Sequence, residues 1–307
     1  MIVVVGSYNQ DLVWRTPRFP KAGETRTGQF SQGPGGKGFN QAMAAHRLDG
    51  NALFIAAIGD DAIGNHAITL AESEGLNCAW QRLNGTATGN AAIWLDSDGQ
   101  NQILVDLAAN TLLSPVHVSK HAEAIRNARI LLLQQEANRD ASLAALQIAK
   151  AADVRCIVNP APYLPDEVGL SALADILTPN ESEFAALLSA YGEVLDAEAI
   201  ATMGAESLHG LALKLPCPDI VITLGHRGAL LSTPNGFHEF LPPLVTVTDT
   251  TGAGDCFNGA LAAELAHGAS LPDACAFAVN AASCKVERAG AALAMPTRAD
   301  IRARFPD

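Results

Sequence analysis

The feature that most constrains this chain is an alternation of short, β-branched apolar runs with Ala- and Leu-rich stretches of helical length. The runs Ile2–Val5, Leu53–Ile58, Ile130–Gln134, Arg155–Asn159 and Ile220–Leu224 are almost wholly apolar. The helical stretches are Gly38–Arg47, Ile63–Glu74, Ser142–Ala151, Glu181–Ala190, Ala253–His267 and Pro272–Val286. A strand without a polar face must be covered on both sides, so the pattern predicts a mostly parallel sheet between two layers of helices. Asp140 and Asn180 are the expected N-caps of two of the helices.

Two segments break the alternation. Residues 11–33 mix polar and apolar positions and read as short antiparallel strands. Residues 88–106 read as two strands joined at Asp96-Ser97-Asp98-Gly99, a hairpin signal. Neither alternates with a helix, so together they predict a small β-sheet lid inserted into a single domain spanning residues 1–307. A further hairpin, Ala229–Ser232 to Phe237–Phe240 with its turn at Pro234-Asn235-Gly236, is expected at one edge of the main sheet.

Composition narrows the function. With 49% apolar and 17% charged residues in 307 positions, the chain has material for a large core. Its net charge of −12 and the lack of any Lys/Arg block exclude nucleic acid and membrane surfaces as expected partners, without excluding an anionic ligand held locally. The six cysteines contain no C-x-x-C pair, which fits reduced thiols in a cytoplasmic protein. Met1–Val5 is too short for a signal sequence, and no stretch approaches the length of a membrane span.

Two glycine runs carry chemistry. Asp249-Thr250-Thr251-Gly252-Ala253-Gly254-Asp255 follows a strand-like Leu244–Val247 and opens onto an Ala-rich helix. Backbone N–H groups at a helix start are unpaired and lie at the positive end of the dipole, and small residues let an anion approach them. A carboxylate on the first turn is placed to take a proton from an attacking hydroxyl. An anion hole beside a base is what phosphoryl transfer requires. A Walker A loop is excluded, because no G-K-[ST] follows. The other reading, a Gly-rich turn with Asp255 as an ordinary capping carboxylate, would win for a lone G-x-G. The second run, Gly33-Pro34-Gly35-Gly36-Lys37-Gly38-Phe39-Asn40, also opens onto a helix and offers donors from Lys37 and Asn40.

These runs resemble the PfkB carbohydrate kinase family, most closely its ribokinase-like branch. Further matching segments are Gly6-Ser7-Tyr8-Asn9-Gln10-Asp11, Gly35 to Ala42, Asn159-Pro160-Ala161-Pro162, Thr178-Pro179-Asn180-Glu181-Ser182-Glu183 and Ile222 to Gly228. The resemblance extends from about Val3 to Pro296. It implies a ribokinase-like three-layer α/β/α sandwich with a small β-sheet lid. It also implies transfer of the ATP γ-phosphate to a primary hydroxyl of a free sugar, ribose first.

The resemblance assigns roles as well. Asp255 is the base, and Gly252, Ala253 and Gly254 form the anion hole. Asn9, Asp11, Gly36, Lys37, Gly38, Asn40 and Glu136 form the sugar-binding set. Carboxylates and amides converging on a pocket suit sugar hydroxyls and disfavour an already phosphorylated acceptor, and Phe39 is expected to reshape that pocket. Asn180 and Glu183 help position Mg²⁺ and the phosphates, largely through water; an N-cap with its capping box is the competing reading. Thr223, Gly225, Arg227 and Gly228 form a nucleotide loop, with Val279 and Asn280 lining the adenine.

A monovalent-cation site (K⁺) is implied at Asp249, Thr251, Lys285, Arg288, Gly290 and Ala294. The sequence departs there: Lys285 brings its own cation and Ala294 has no hydroxyl. Backbone carbonyls holding K⁺, or the Lys285 ammonium replacing it, are the two readings. A homodimer through the lid sheets is also implied, with Trp94 as a candidate contact. Rival functions are a nucleoside kinase, a kinase of another free sugar, and a non-catalytic sugar- or nucleotide-sensing protein on the same fold. His117 and His121, four apart, read as a solvated helix face more readily than as metal ligands. Cys256, next to the base, is expected to be a packing residue although a helix start can lower a thiol pKa.

Overall fold

A computed structural model describes residues 1–165 and 168–306. Thirteen strands fall into two sheets. In chain order they are β1 (Ile2–Val5), β2 (Asn9–Arg15), β3 (Gln29–Gly35), β4 (Ala52–Gly59), β5 (Asn77–Leu83), β6 (Asn90–Leu95) and β7 (Asn101–Asp106). They continue with β8 (Ile130–Leu133), β9 (Arg155–Val158), β10 (Ile176–Leu177), β11 (Asp219–Thr223), β12 (Ala229–Thr233) and β13 (Gly236–Phe240). Nine form the main sheet in the order β13-β12-β11-β10-β9-β8-β1-β4-β5. Pairing is parallel from β5 to β11, and antiparallel only where the β12–β13 hairpin extends the edge.

Side chains alternate across a strand, and β1 shows what that means when both faces are covered. Ile2 and Val4 lie on the face covered by the helices Lys37–Arg47, Ala62–Glu74, Ala253–His267 and Leu271–Val286. Val3 and Val5 lie on the opposite face, which the helices Arg139–Lys150, Glu181–Ala190 and Ala205–Ala212 cover. All four are fully buried, which is why the sequence shows an unbroken apolar run there. The result is the three-layer α/β/α sandwich expected.

The small sheet, ordered β3-β2-β6-β7, is the lid. Antiparallel hairpins β2–β3 and β6–β7 join through a parallel β2–β6 pair, so the lid is made of the two segments that broke the alternation. At the β6–β7 turn, Asp96 Oδ1 accepts from the backbone N–H groups of Asp98 and Gln100, and Gly99 takes a left-handed φ of 78°. β2 follows β1 after only three residues, so the lid grows directly from an interior strand of the main sheet.

Several expectations are corrected. Leu244–Val247 is not a strand: it pairs with nothing, and Leu244 is 98% exposed. The N-cap of the Arg139–Lys150 helix is Asn138, whose side chain accepts from the Ala141 N–H; Asp140 lies inside the first turn. Phe39 does not face an acceptor pocket. It is fully buried and meets Tyr8 and Phe54 edge-on at 5.1 and 5.8 Å. β5 and the short β10 went unforeseen. The six cysteines are free, and among the described residues no helix is long and apolar enough to cross a membrane.

Candidate active site

Parallel strands end on one edge of the sheet, and ligands of such sheets bind outside those carboxyl ends. On that edge stand Gly6 and Ser7 after β1, Gln134 to Glu136 after β8, Asn159 after β9, Thr178 after β10 and Leu224 after β11. The helices Lys37–Arg47 and Ala253–His267 both start there and cross closely at Gly259. A Cβ on Gly259 would lie 2.5 Å from Ala44 Cβ and 2.6 Å from the Gln41 carbonyl oxygen. That crossing brings the two glycine runs of the sequence to one place.

Asp255 lies on the first turn of its helix and is 8% exposed. Its Oδ2 accepts from Asn40 Nδ2 at 2.9 Å and its Oδ1 from Gln41 Nε2 at 3.0 Å. Each carboxylate oxygen has more than one lone pair, so each retains acceptor capacity for an incoming hydroxyl. Ahead of it, Gly252 caps the helix in a left-handed conformation (φ 74°) that a β-carbon would strain. Of the three residues expected to form the anion hole, Ala253 donates its N–H to the Thr250 carbonyl at 3.1 Å. The Gly252 and Gly254 N–H groups have no such backbone partner among the described residues.

The sugar-binding candidates gather around this carboxylate. Asn9 Oδ1 accepts from Asn110 Nδ2 at 2.9 Å, and Asn110 also clamps both backbone polar groups of Tyr8. Glu136 Oε2 accepts from the Ser7 hydroxyl at 2.6 Å and the Lys37 N–H at 2.9 Å. Asp11 rides on lid strand β2, its carboxylate lying over the Gly35 backbone. Burial, then Glu136 and Asp255, push the Asp11 carboxyl up to about 7. Burial opposes the Lys37 ammonium, but Asp255, Glu136 and Glu183 around it raise it above the ordinary lysine value. Gly36 and Gly38 serve the chain's own packing: a Cβ on either would strike the backbone of residues 6–9.

Asn180 and Glu183 form a full capping box. Asn180 Oδ1 accepts from the Glu183 N–H and Glu183 Oε2 accepts from the Asn180 N–H, both at 2.9 Å. Burial raises the Glu183 carboxyl against the pull of the Asn180 N–H and Lys37. Thr223 ends β11 and forms an isolated bridge to Asn180. Gly225 and Gly228 take positive φ in the turn that follows. Arg227 braces that turn, donating to the carbonyls of Ala201 (2.6 Å) and Met203 (2.8 Å). Val279 is buried and Asn280 half-buried in the middle of the Leu271–Val286 helix.

Between the inner face of the lid and the loops 247–251 and 289–294 lies an open cleft of about 1190 Å³. It is lined by Asp11, Gln29 and Asn101 from the lid and by Asp249, Thr251 and Gly290 from the body. Asp249 is pinned at both oxygens, accepting from the Thr251 N–H and the Gly290 N–H at 2.9 Å each. Arg288 turns away to Asp300 (3.0 Å). Ala294 offers only its backbone. Burial pushes the Cys256 thiol well up, so it is an inert packing group. His117 makes its contact with the Ala79 carbonyl at 3.1 Å, and no metal-holding cluster exists among the described residues.

Sequence reasoning missed the residues that orient the named ones. Gln41 reaches Asp255, Asn159 Oδ1 (3.0 Å) and, through its own carbonyl, Gln134 Nε2 (2.6 Å). Asn159 continues to the Thr178 carbonyl, Thr178 to Asn258, and Asn258 back to the Gly254 carbonyl. The signal was present at Gln41, which follows Asn40 directly, but nothing local marks Asn110.

The fold and this convergence define a kinase of small molecules, and the pattern of the pfkB family carbohydrate kinases matches residues 1–298. The chain belongs to that family, whose members are phosphotransferases with an alcohol acceptor. Among its relatives, the ribokinase of Schizosaccharomyces pombe is 35% identical over 99% of this chain and 97% of its own length. The structure of ribokinase from Thermotoga maritima superposes with a TM-score of 0.86 at 34% identity, covering 98% of both chains. The structure of Arabidopsis thaliana ribokinase complexed with ribose and ATP gives a TM-score of 0.82 at 30% identity, over 98% of this chain and 97% of that one.

Proposed function

We propose that this protein transfers the γ-phosphate of ATP to a primary hydroxyl of a free sugar, ribose being the first acceptor. One observation carries the reading: the Asp255 carboxylate at a helix start is oriented by two amides from the helix that follows the second glycine run. Asp255 accepts the hydroxyl proton as the oxygen bonds to the γ-phosphorus and the bond to ADP breaks. The N–H groups of Gly252 and Gly254, at the positive end of the helix dipole, face the charge gathering on the transferring phosphoryl oxygens. Asn9, Asp11, Lys37, Asn40 and Glu136 hold the sugar hydroxyls. The three carboxylates among Asp11, Glu136 and Asp255 favour a neutral acceptor over a sugar phosphate.

Thr223, Gly225, Gly228 and Asn280 are assigned to the nucleotide. A Mg²⁺ bound with ATP supplies charge neutralisation at the phosphates, and the oxygen ligands of Asn180 and Glu183 suit such a hard ion held through water. The exposed apolar side chains on the outer face of the lid, among them Phe30 (54%), Trp94 (39%) and Leu104 (77%), are assigned to a second copy of the chain. Six free thiols fit a cytoplasmic setting.

An assay of ADP release over ribose, deoxyribose, fructose and nucleosides tests the reading. Turnover with ribose above the others is expected. Preference for a nucleoside would replace the acceptor, and no turnover with any of them would favour a sensing protein.

A further inference from the structure

Among the described residues, Lys285 is the one basic side chain with no exposed surface. A buried ammonium is strongly unfavourable unless it is both paired and hydrogen-bonded, so its surroundings must compensate it. Nζ donates to the Asp249 backbone carbonyl at 3.0 Å, and the carboxylates of Asp249 and Asp255 supply the opposing charge. The side chain therefore folds back from the end of the Leu271–Val286 helix to the base of the turn that leads into Gly252.

These are the positions at which the family resemblance implies a monovalent cation, and the residues present do not fit one. The Asp249 carbonyl accepts from the ammonium, so a cation bound to the same oxygen would lie against that charge. Both oxygens of the Asp249 carboxylate accept backbone N–H groups, and the Lys285 carbonyl accepts the Arg288 N–H at 2.9 Å. Ala294 contributes no side-chain oxygen, and a second cation would lie beside a fixed positive charge in a poorly solvated place. We propose that the Lys285 ammonium replaces the monovalent cation, giving the turn behind the anion hole a covalently attached positive charge. The inference rests on the kinase reading above and predicts an enzyme indifferent to K⁺.

The experiment compares the wild-type protein and Lys285→Ala in tetramethylammonium chloride and in KCl at equal ionic strength. Turnover with ribose and Mg-ATP and the melting temperature of the sugar-free protein are both read. For the wild type, neither quantity should change with K⁺. For Lys285→Ala without K⁺, turnover should fall about 10²-fold, the size of one lost electrostatic stabiliser in a closed site. K⁺ should restore much of that loss and raise the variant's melting temperature by about 2 °C or more as it fills the vacated place. K⁺ stimulation or K⁺ stabilisation of the wild type overturns the proposal, and so does a Lys285→Ala protein as active as the wild type without K⁺. Should the variant not fold, the wild-type comparison decides alone. Absence of turnover with every acceptor would count against the kinase reading, while the melting comparison would still judge the cation.

Discussion

The side-chain amide of Gln41 donates to the Asp255 carboxylate at 3.0 Å although the two residues lie 214 positions apart in the chain. The same nitrogen is 3.0 Å from Asn159 Oδ1, so one group ties the base to the end of β9. Replacing Gln41 by Met keeps the volume and removes the donor. A buried hydrogen bond left unmade costs about 1–3 kcal/mol, so kcat should fall roughly ten- to a hundredfold. The KM for ATP should stay put. Steady-state kinetics with each substrate varied in turn checks the split, and an unchanged kcat would remove Gln41 from the positioning of the base.

Asp255→Asn keeps both neighbours of the carboxylate within reach but takes away the proton acceptor. Turnover should drop by about 10²–10⁴, the usual worth of general base catalysis. Sugar binding measured by titration calorimetry should survive. Loss of binding together with turnover would make Asp255 a binding group and not a base.

Asp11 carries a pH signature with a definite sign. Its carboxyl is raised from an ordinary 3.8 to about 7 by burial, Glu136 and Asp255. Between those two pH values the folded chain holds a proton that the unfolded chain has released, so this group makes stability fall as pH rises through the window. Asp11→Asn removes that dependence. The variant should melt higher than the wild type at pH 8, with the gap narrowing towards pH 4. Its affinity for ribose should at the same time weaken by about tenfold, one hydrogen bond to a charged acceptor. Parallel melting curves and sugar titrations across that range provide the check.

Gly259 sets two general rules against each other. Gly→Ala inside a helix ordinarily stabilises by about 1 kcal/mol. Here the new methyl would lie 2.5 Å from Ala44 Cβ, 2.6 Å from the Gln41 carbonyl and 2.8 Å from the Ala45 nitrogen. Overpacking of that kind costs about 1–3 kcal/mol and the backbone cannot swing aside as a side-chain tip would. Gly259→Ala should therefore lower the melting temperature and also reduce kcat, because the helix carrying Asn40 and Gln41 is pushed away from Asp255. A more stable, fully active variant would contradict the crossing described.

What the sequence disclosed follows from how each element is held. β1, buried on both faces, announces itself as four apolar residues, and the Glu181–Ala190 helix begins at a full capping box whose two residues, Asn180 and Glu183, lie three positions apart. β5 is an edge strand with Asn77, Gln81 and Arg82 among its seven residues, so it lacks the apolar run that marked its neighbours. β10 has two residues and exists only because β9 and β11 flank it. Leu244–Val247 has the composition of a strand but no sheet edge to join.

The site divides in the same way. The Asp255 run was legible because its glycines and its carboxylate share one turn of helix. Asn110 was not, since its value lies in what it meets about a hundred residues earlier, at Tyr8 and Asn9. The roles of Gly36 and Gly38 were legible only as freedom of approach. The structure shows that what approaches is the strand connection at residues 6–9.

One consequence of the lid's attachment reaches beyond its role as a cover. Asp11 belongs to the small sheet, while Glu136 and Asp255 belong to the body, and the three are close enough to raise the Asp11 carboxyl. Carboxylates that face one another across the join of lid and body disfavour one another's charge. A polyol bound among them would bring hydroxyl donors to all three groups. The charge on Asp11 and the affinity for such an acceptor are thereby linked, and whatever weakens the repulsion must shift both.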